Sequence, residues 1–187
     1  MPGSDIRCQS LGPSWLPSMV PSSPVNRMNL PATCGGCHAR AYTAFRESWH
    51  YQMQRDGDDR GPSCSTCHDQ VLGYRLSPRE FGSACAACHG AGQVASRSGW
   101  PEEARLLLQW IRDARHDLDD ARTLIRKTVG KSRRAKLEEA AARAELPLTE
   151  AIRHMHRFIF EAAQNRLDLA RYRIALLVES LTTVTAP

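Results

Sequence analysis

Residues 101–125 read PEEARLLLQWIRDARHDLDDARTLI, and their spacing decides the fold. Leu107, Ile111, Ala114, Leu118, Ala121 and Ile125 recur at steps of four and three, the period of a helix with one apolar face. Pro101 sits at a helix-start position. Glu102 and Glu103 follow it, where the positive end of the helix dipole favours acidic side chains. Gly130 supplies a stop. A shorter helix is expected over 132–145, halted before Pro147, because the residue ahead of a proline is driven out of helical conformation. Thr149 then caps a last long helix to about residue 182. Its seam reads Ile152, His156, Ile159, Ala163, Leu167, Ala170, Ile174, Leu177 and Leu181. At about 1.5 Å per residue the two long helices span roughly 40–50 Å. They are expected to pack antiparallel, as a hairpin or bundle resting partly on the region before them, with length left over for a homo-oligomer contact. The fold class is therefore mainly α, with little or no β.

The rest of the chain differs from residues 99–187. Residues 1–30 are rich in Pro, Ser and Gly without a period, as a leader or linker would be. Residues 31–98 carry Gly and Pro punctuation and few apolar runs, so this loop-rich segment buries little by itself. Aromatic residues are only 6% of the 187, thin for a core of this size. Bound cofactors would supply the missing apolar bulk. No stretch is apolar enough to make a transmembrane helix. Residues 9–26 are uncharged but hold Pro13, Pro17, Pro21 and Pro24, a poor core for an export signal.

What residues 31–98 wrap is indicated by three motifs of one form. They are Cys34-Gly35-Gly36-Cys37-His38, Cys64-Ser65-Thr66-Cys67-His68 and Cys85-Ala86-Ala87-Cys88-His89. Their intervals are unequal, which excludes a regular solenoid repeat. Cys8 is the seventh cysteine and reads as an incidental thiol. In each motif two thiols stand one helical turn apart, matched to the two vinyl groups of one porphyrin. The histidine that follows lies under the ring and ligates its iron. Zinc knuckles are the competing reading. Three pairs do not divide into four-cysteine sites, however, and zinc gives no reason for a histidine after every second cysteine. A thioredoxin-like pair would need a strand–helix context that no motif has. The expectation is three covalent c-type haems, with thioethers from Cys34, Cys37, Cys64, Cys67, Cys85 and Cys88 and proximal ligands His38, His68 and His89.

The formal net charge of +5 would ordinarily point to nucleic acid or another acidic partner. Counting propionates and ferric iron, three haems add roughly −3, which leaves a net near +2. No basic run is interleaved with aromatics, so nucleic acid is not expected.

The run after the first motif, Ala39-Arg40-Ala41-Tyr42-Thr43-Ala44-Phe45-Arg46-Glu47-Ser48-Trp49-His50, and the continuation of the third, His89-Gly90-Ala91-Gly92, are similar to one family. They resemble the multihaem cytochromes grouped with hydroxylamine oxidoreductase, which include its tetrahaem electron acceptor and, more distantly, pentahaem nitrite reductases. The motifs that carry the likeness cover about a third of the chain; the helical tail adds a weaker match. The resemblance implies that His50 is the distal ligand of the His89 iron. It also implies that a later histidine serves the first haem, which assigns His156 to the His38 iron. The lysine-ligated haem and the tyrosine cross-link of the catalytic relatives have no counterpart here.

Periodicity supports His156 separately, since it interrupts an otherwise apolar seam. A neutral histidine buried without a partner costs about 1–3 kcal/mol, and an iron ligand removes that cost. His154 and His116 fall on polar faces. His116 is kept as a possible distal ligand because its helix directly follows the third motif. Met28 and Met53 read as filler. This leaves the His68 iron as the open one, completed by His116, by a neighbouring subunit or by nothing.

The function expected is electron transport between redox proteins through closely spaced, mostly bis-histidine haems. The alternatives are a small reductase or oxidase of nitrogen oxides or hydroxylamine at an open His68 haem, with Arg60, Arg75 or Arg79 as donors, and a haem-bearing filament subunit. Attachment of c-type haem normally occurs outside an energy-coupling membrane, so a periplasmic or extracellular location is expected; no export signal is evident, and either the true start lies upstream or the signal has been removed or the start wrongly assigned.

Overall fold

The computed structural model describes residues 20–58, 60–68, 76–93, 95–97 and 99–183. Among these residues the chain is mainly α, with eight helices and no strand. They are α1 Leu30–Gly35, α2 Ala39–Arg46, α3 Trp49–Arg55, α4 Cys64–Cys67, α5 Pro78–His89, α6 Trp100–Lys127, α7 Lys131–Arg157 and α8 Phe160–Thr182. Most of the expected leader, with Cys8, lies outside the described residues, as does Arg75. No helix among the described residues is long and apolar enough to cross a membrane.

The chain forms two compact units. One takes residues 1–105 and 156–158; the other takes 106–155 and 159–187. The first unit is built from short helices, and side-chain caps start several of them. Ser48 Oγ accepts the Tyr51 N–H at 3.1 Å and opens α3. Ser63 and Thr66 cap α4 reciprocally, as Ser77 and Glu80 cap α5. Each such cap satisfies amide groups that a helix start would otherwise leave unpaired. The apolar core is small, as the punctuated sequence implies, with Leu30, Ala44 and Phe45 among its members. Polar bonds supplement it. The Arg27 carbonyl accepts from both Gln54 Nε2 and Ser63 Oγ. The turns over 20–29, read above as the end of a leader, therefore tie α3 and α4 together.

In the second unit the expected stripe of α6, Leu107 to Ile125, is buried at every position. Leu137, Ala141, Ala144, Leu148, Ala151 and Met155 are buried on α7, and Ala163, Leu167, Ala170, Ile174 and Leu177 on α8. Arg122 on α6 pairs with Glu145 on α7 at 2.6 Å. Between α7 and α8, Arg133 donates to the Ser180 carbonyl at 3.3 Å, and Arg166 pairs with Glu150 at 3.2 Å. As one number rises the other falls, so neighbouring helices run antiparallel. Gly130 turns α6 into α7 at φ 94°, a left-handed conformation that a side chain would disfavour.

Pro147 does not end a helix, and Thr149 caps none. α7 runs through both. The second of the three helices is therefore long, and α6 and α8, the pair expected to oppose each other, run the same way, with the Arg171 guanidinium of α8 6.0 Å from the centre of the Trp110 ring of α6. Pro147 lacks the N–H that would pair with the carbonyl of Arg143 one turn back. Arg173 of α8 takes that role, its Nη1 donating to the Arg143 carbonyl at 2.7 Å. Arg173→Ala is expected to lower stability by about 0.5–1.5 kcal/mol, the net worth of one such bond. Urea unfolding measures this, and an unchanged midpoint would contradict it.

The break falls instead at Phe158, at φ 58°. That region costs an L-residue about 1–2 kcal/mol and is unusual for a bulky side chain. The break also ends the seam expected to run from Ile152 through His156 to Ile159. Ile159 is 39% exposed, and Met155 rather than His156 takes the buried place.

Candidate haem-ligand site

The first two motifs are single helical turns. The His38 N–H donates to the Cys34 carbonyl at 2.8 Å, and the His68 N–H to the Cys64 carbonyl at 2.9 Å. The third motif is the last turn of α5. In a helix, positions i, i+3 and i+4 share a face, so both sulfurs and the imidazole of a motif are offered together.

The motif cysteines of the described residues are free thiols at Cys34, Cys37, Cys64, Cys67 and Cys85. Burial, and then the neighbouring Cys34, pushes Cys64 up to about 11. Burial, with Cys85 and Cys64 next, pushes Cys67 up to about 12; burial pushes Cys85 up to about 11. These sulfurs hold their protons at neutral pH. Thiols in this form can add across the vinyl groups of a porphyrin. Cys88 is disulfide-bonded, so its sulfur becomes available only on reduction.

Two of the motif histidines have a second imidazole opposite them. His50 lies 5.9 Å from His89 between ring centres, with the planes at 55°. His156 lies 6.3 Å from His68, with the planes at 13°. Both separations lie within the range of ordinary ring contacts. They match two imidazoles on one metal, which stand about 6 Å apart because each metal–nitrogen bond is about 2 Å and each nitrogen lies about 1 Å from its ring centre.

Each pair is positioned by its surroundings. His50 sits in the first turn of α3, which Ser48 caps. Burial, and then the neighbouring His89, lowers the His50 imidazole to about 4, so it is neutral and can donate a lone pair. Its Nδ1 is buried with no hydrogen-bond partner among the described residues. His89 Nδ1 lies 2.7 Å from the Ala95 carbonyl. A carbonyl there requires the proton on Nδ1, which leaves the Nε2 lone pair available to a metal. The loop after His89 is closed by the Arg97 N–H on the His89 carbonyl at 3.0 Å, and Gly92 at φ 79° allows it to turn back.

The corner between α7 and α8 delivers His156. Arg157 pairs with Glu47 at 2.9 Å. The Phe158 ring packs edge-on to His50 at 4.3 Å and to Phe45 at 6.4 Å. These contacts hold Phe158 in its strained conformation, and the chain turns directly after His156. His156 thus stands beside His68 and not beside His38, where it was expected.

The remaining candidates lie elsewhere. His38 is exposed and, among the described residues, has no second histidine ring beside it. His116 is exposed in the second unit, its Nδ1 3.3 Å from Asp120. His154 is half-buried in that unit. Met53 is half-buried and Met28 is 42% exposed. Arg60 pairs with Asp58 at 2.7 Å, and Arg79 is exposed on α5. Phe158, Arg157, Glu47 and the Ala95 carbonyl were not anticipated. Only the Gly-x-Gly after the third motif gave a local sign, as a turn that brings the chain back. The chain matches no protein-family model, no curated protein and no solved structure.

Proposed function

We propose that this chain is a three-haem c-type cytochrome that carries electrons between redox proteins. The observation that supports this best is the pairing of His50 with His89 and of His156 with His68 at the separation one iron needs. Each pair joins a histidine that directly follows Cys-x-x-Cys to one from elsewhere in the chain. A porphyrin supplies the other four iron ligands, so two imidazoles suffice. Among the described residues no group of three or more His, Cys, Asp or Glu side chains converges as a tetrahedral zinc site would require.

Haem iron held between two histidines stores one electron and is closed to substrate, usually at a lower potential than with a methionine ligand. The protein's part is to fix both imidazoles, keep them neutral and exclude water from them. The caps of α3 and α5, the buried setting of His50 and the pinned corner at Phe158 serve this. The resemblance to the hydroxylamine oxidoreductase group, and a periplasmic or extracellular location, accord with the reading and belong to it as proposals. The partners are a redox protein donor and a redox protein acceptor.

Anaerobic titration of the loaded protein with a reductant tests the function. The expected result is reversible uptake of three electrons per chain, followed by rapid reoxidation by a second redox protein. A chain that takes up no electrons reversibly, or passes none on, would contradict it.

A further inference from the structure

The chain has seven histidines, all among the described residues. Five of them, His38, His50, His68, His89 and His156, belong to the first unit. Five histidines make two pairs and leave one over. The one left over is His38, because the other four are paired across the gaps described above.

We infer, building on the three-haem reading, that the iron carried by His38 takes its sixth ligand from outside the chain. It is thus a binding site for a small anionic or neutral donor such as cyanide or carbon monoxide. Three observations carry this. His38 is a motif histidine, so its proximal role follows from Cys34 and Cys37. Its backbone is fixed between α1 and α2, where its carbonyl accepts the Tyr42 N–H at 3.0 Å. The ring and its neighbours Cys37, Ala39 and Arg40 are all exposed, unlike half-buried His50 and His89. The accessible position is therefore the first haem and not the second, where the sequence pointed. The His50 and His156 irons are closed, so an external ligand has one place to bind.

The test uses the fully loaded protein, with covalent haem counted on the same sample. Low-temperature EPR of the oxidised protein is expected to show one high-spin and two low-spin haems. Cyanide should convert the high-spin signal with one equivalent per chain. His156→Ala should then raise the high-spin count to two, which places the original open site away from His68. Three low-spin signals, failure to take up cyanide, or an unchanged count in His156→Ala would each overturn the inference. So would a high-spin signal that first appears in His116→Ala or His154→Ala. A sample with three covalent haems but no cyanide binding defeats this inference alone; a sample with no covalent haem defeats the three-haem reading beneath it.

Discussion

Replacing His156 with alanine is expected to abolish one of the two low-spin haem signals and create a high-spin one. His156 stands opposite His68 with a gap that fits one iron, and the other histidines of the first unit, His38, His50 and His89, are assigned to the other two irons. The change should be local. Arg157–Glu47 and the Phe158 contacts still anchor the corner, so the variant should fold and retain all three haems. Added imidazole should enter the space left by the side chain and restore the low-spin signal. EPR and the visible spectrum measure both effects. An unchanged spectrum would remove His156 from the ligands and undo the pairing with His68.

His50→Ala is expected to have an effect of the same size on the other pair, with an added cost because its ring is packed against Phe158. His50→Met offers a second readout. A thioether in place of an imidazole should keep the iron low-spin but raise its potential. Acidity gives a third. A proton and an iron compete for the same imidazole, so a lowered pKa moves acid release to lower pH. Burial and the neighbouring His89 lower His50 from 6.5 to about 4. Its low-spin signal should therefore hold as pH falls through 6.5 and be lost only towards pH 4 or below. Loss near pH 6 would mean that the side chain is exposed to water and is not the buried ligand described.

Much of this was legible in the sequence. The stripe from Leu107 to Ile125 and the one from Ala163 to Leu177 are buried as their period requires, because one helix dictates its own spacing. The three motifs are legible as a local pattern, since each lies within five residues. His50 was legible through a family likeness, and the structure sets it against His89 as that likeness implied. What could not be read was decided by contacts distant in sequence. Pro147 should stop a helix, but Arg173, far along the chain, satisfies the carbonyl it orphans. Phe158 bears no mark of a helix break; it is neither Gly nor Pro, and its strain is held by Phe45 and His50. Misplacing that break put His156 on a seam it does not occupy. It also hid that His156 faces His68 and that His38 is the histidine left over.

Covalent attachment of three haems can be read from the intact mass of the denatured protein. The protein should be made with a c-type haem attachment system and exported. The expected result is a chain heavier by three haems, with loss of one haem for each motif whose two cysteines are changed to serine. A chain at its bare sequence mass, or one that carries zinc in place of haem, would contradict it.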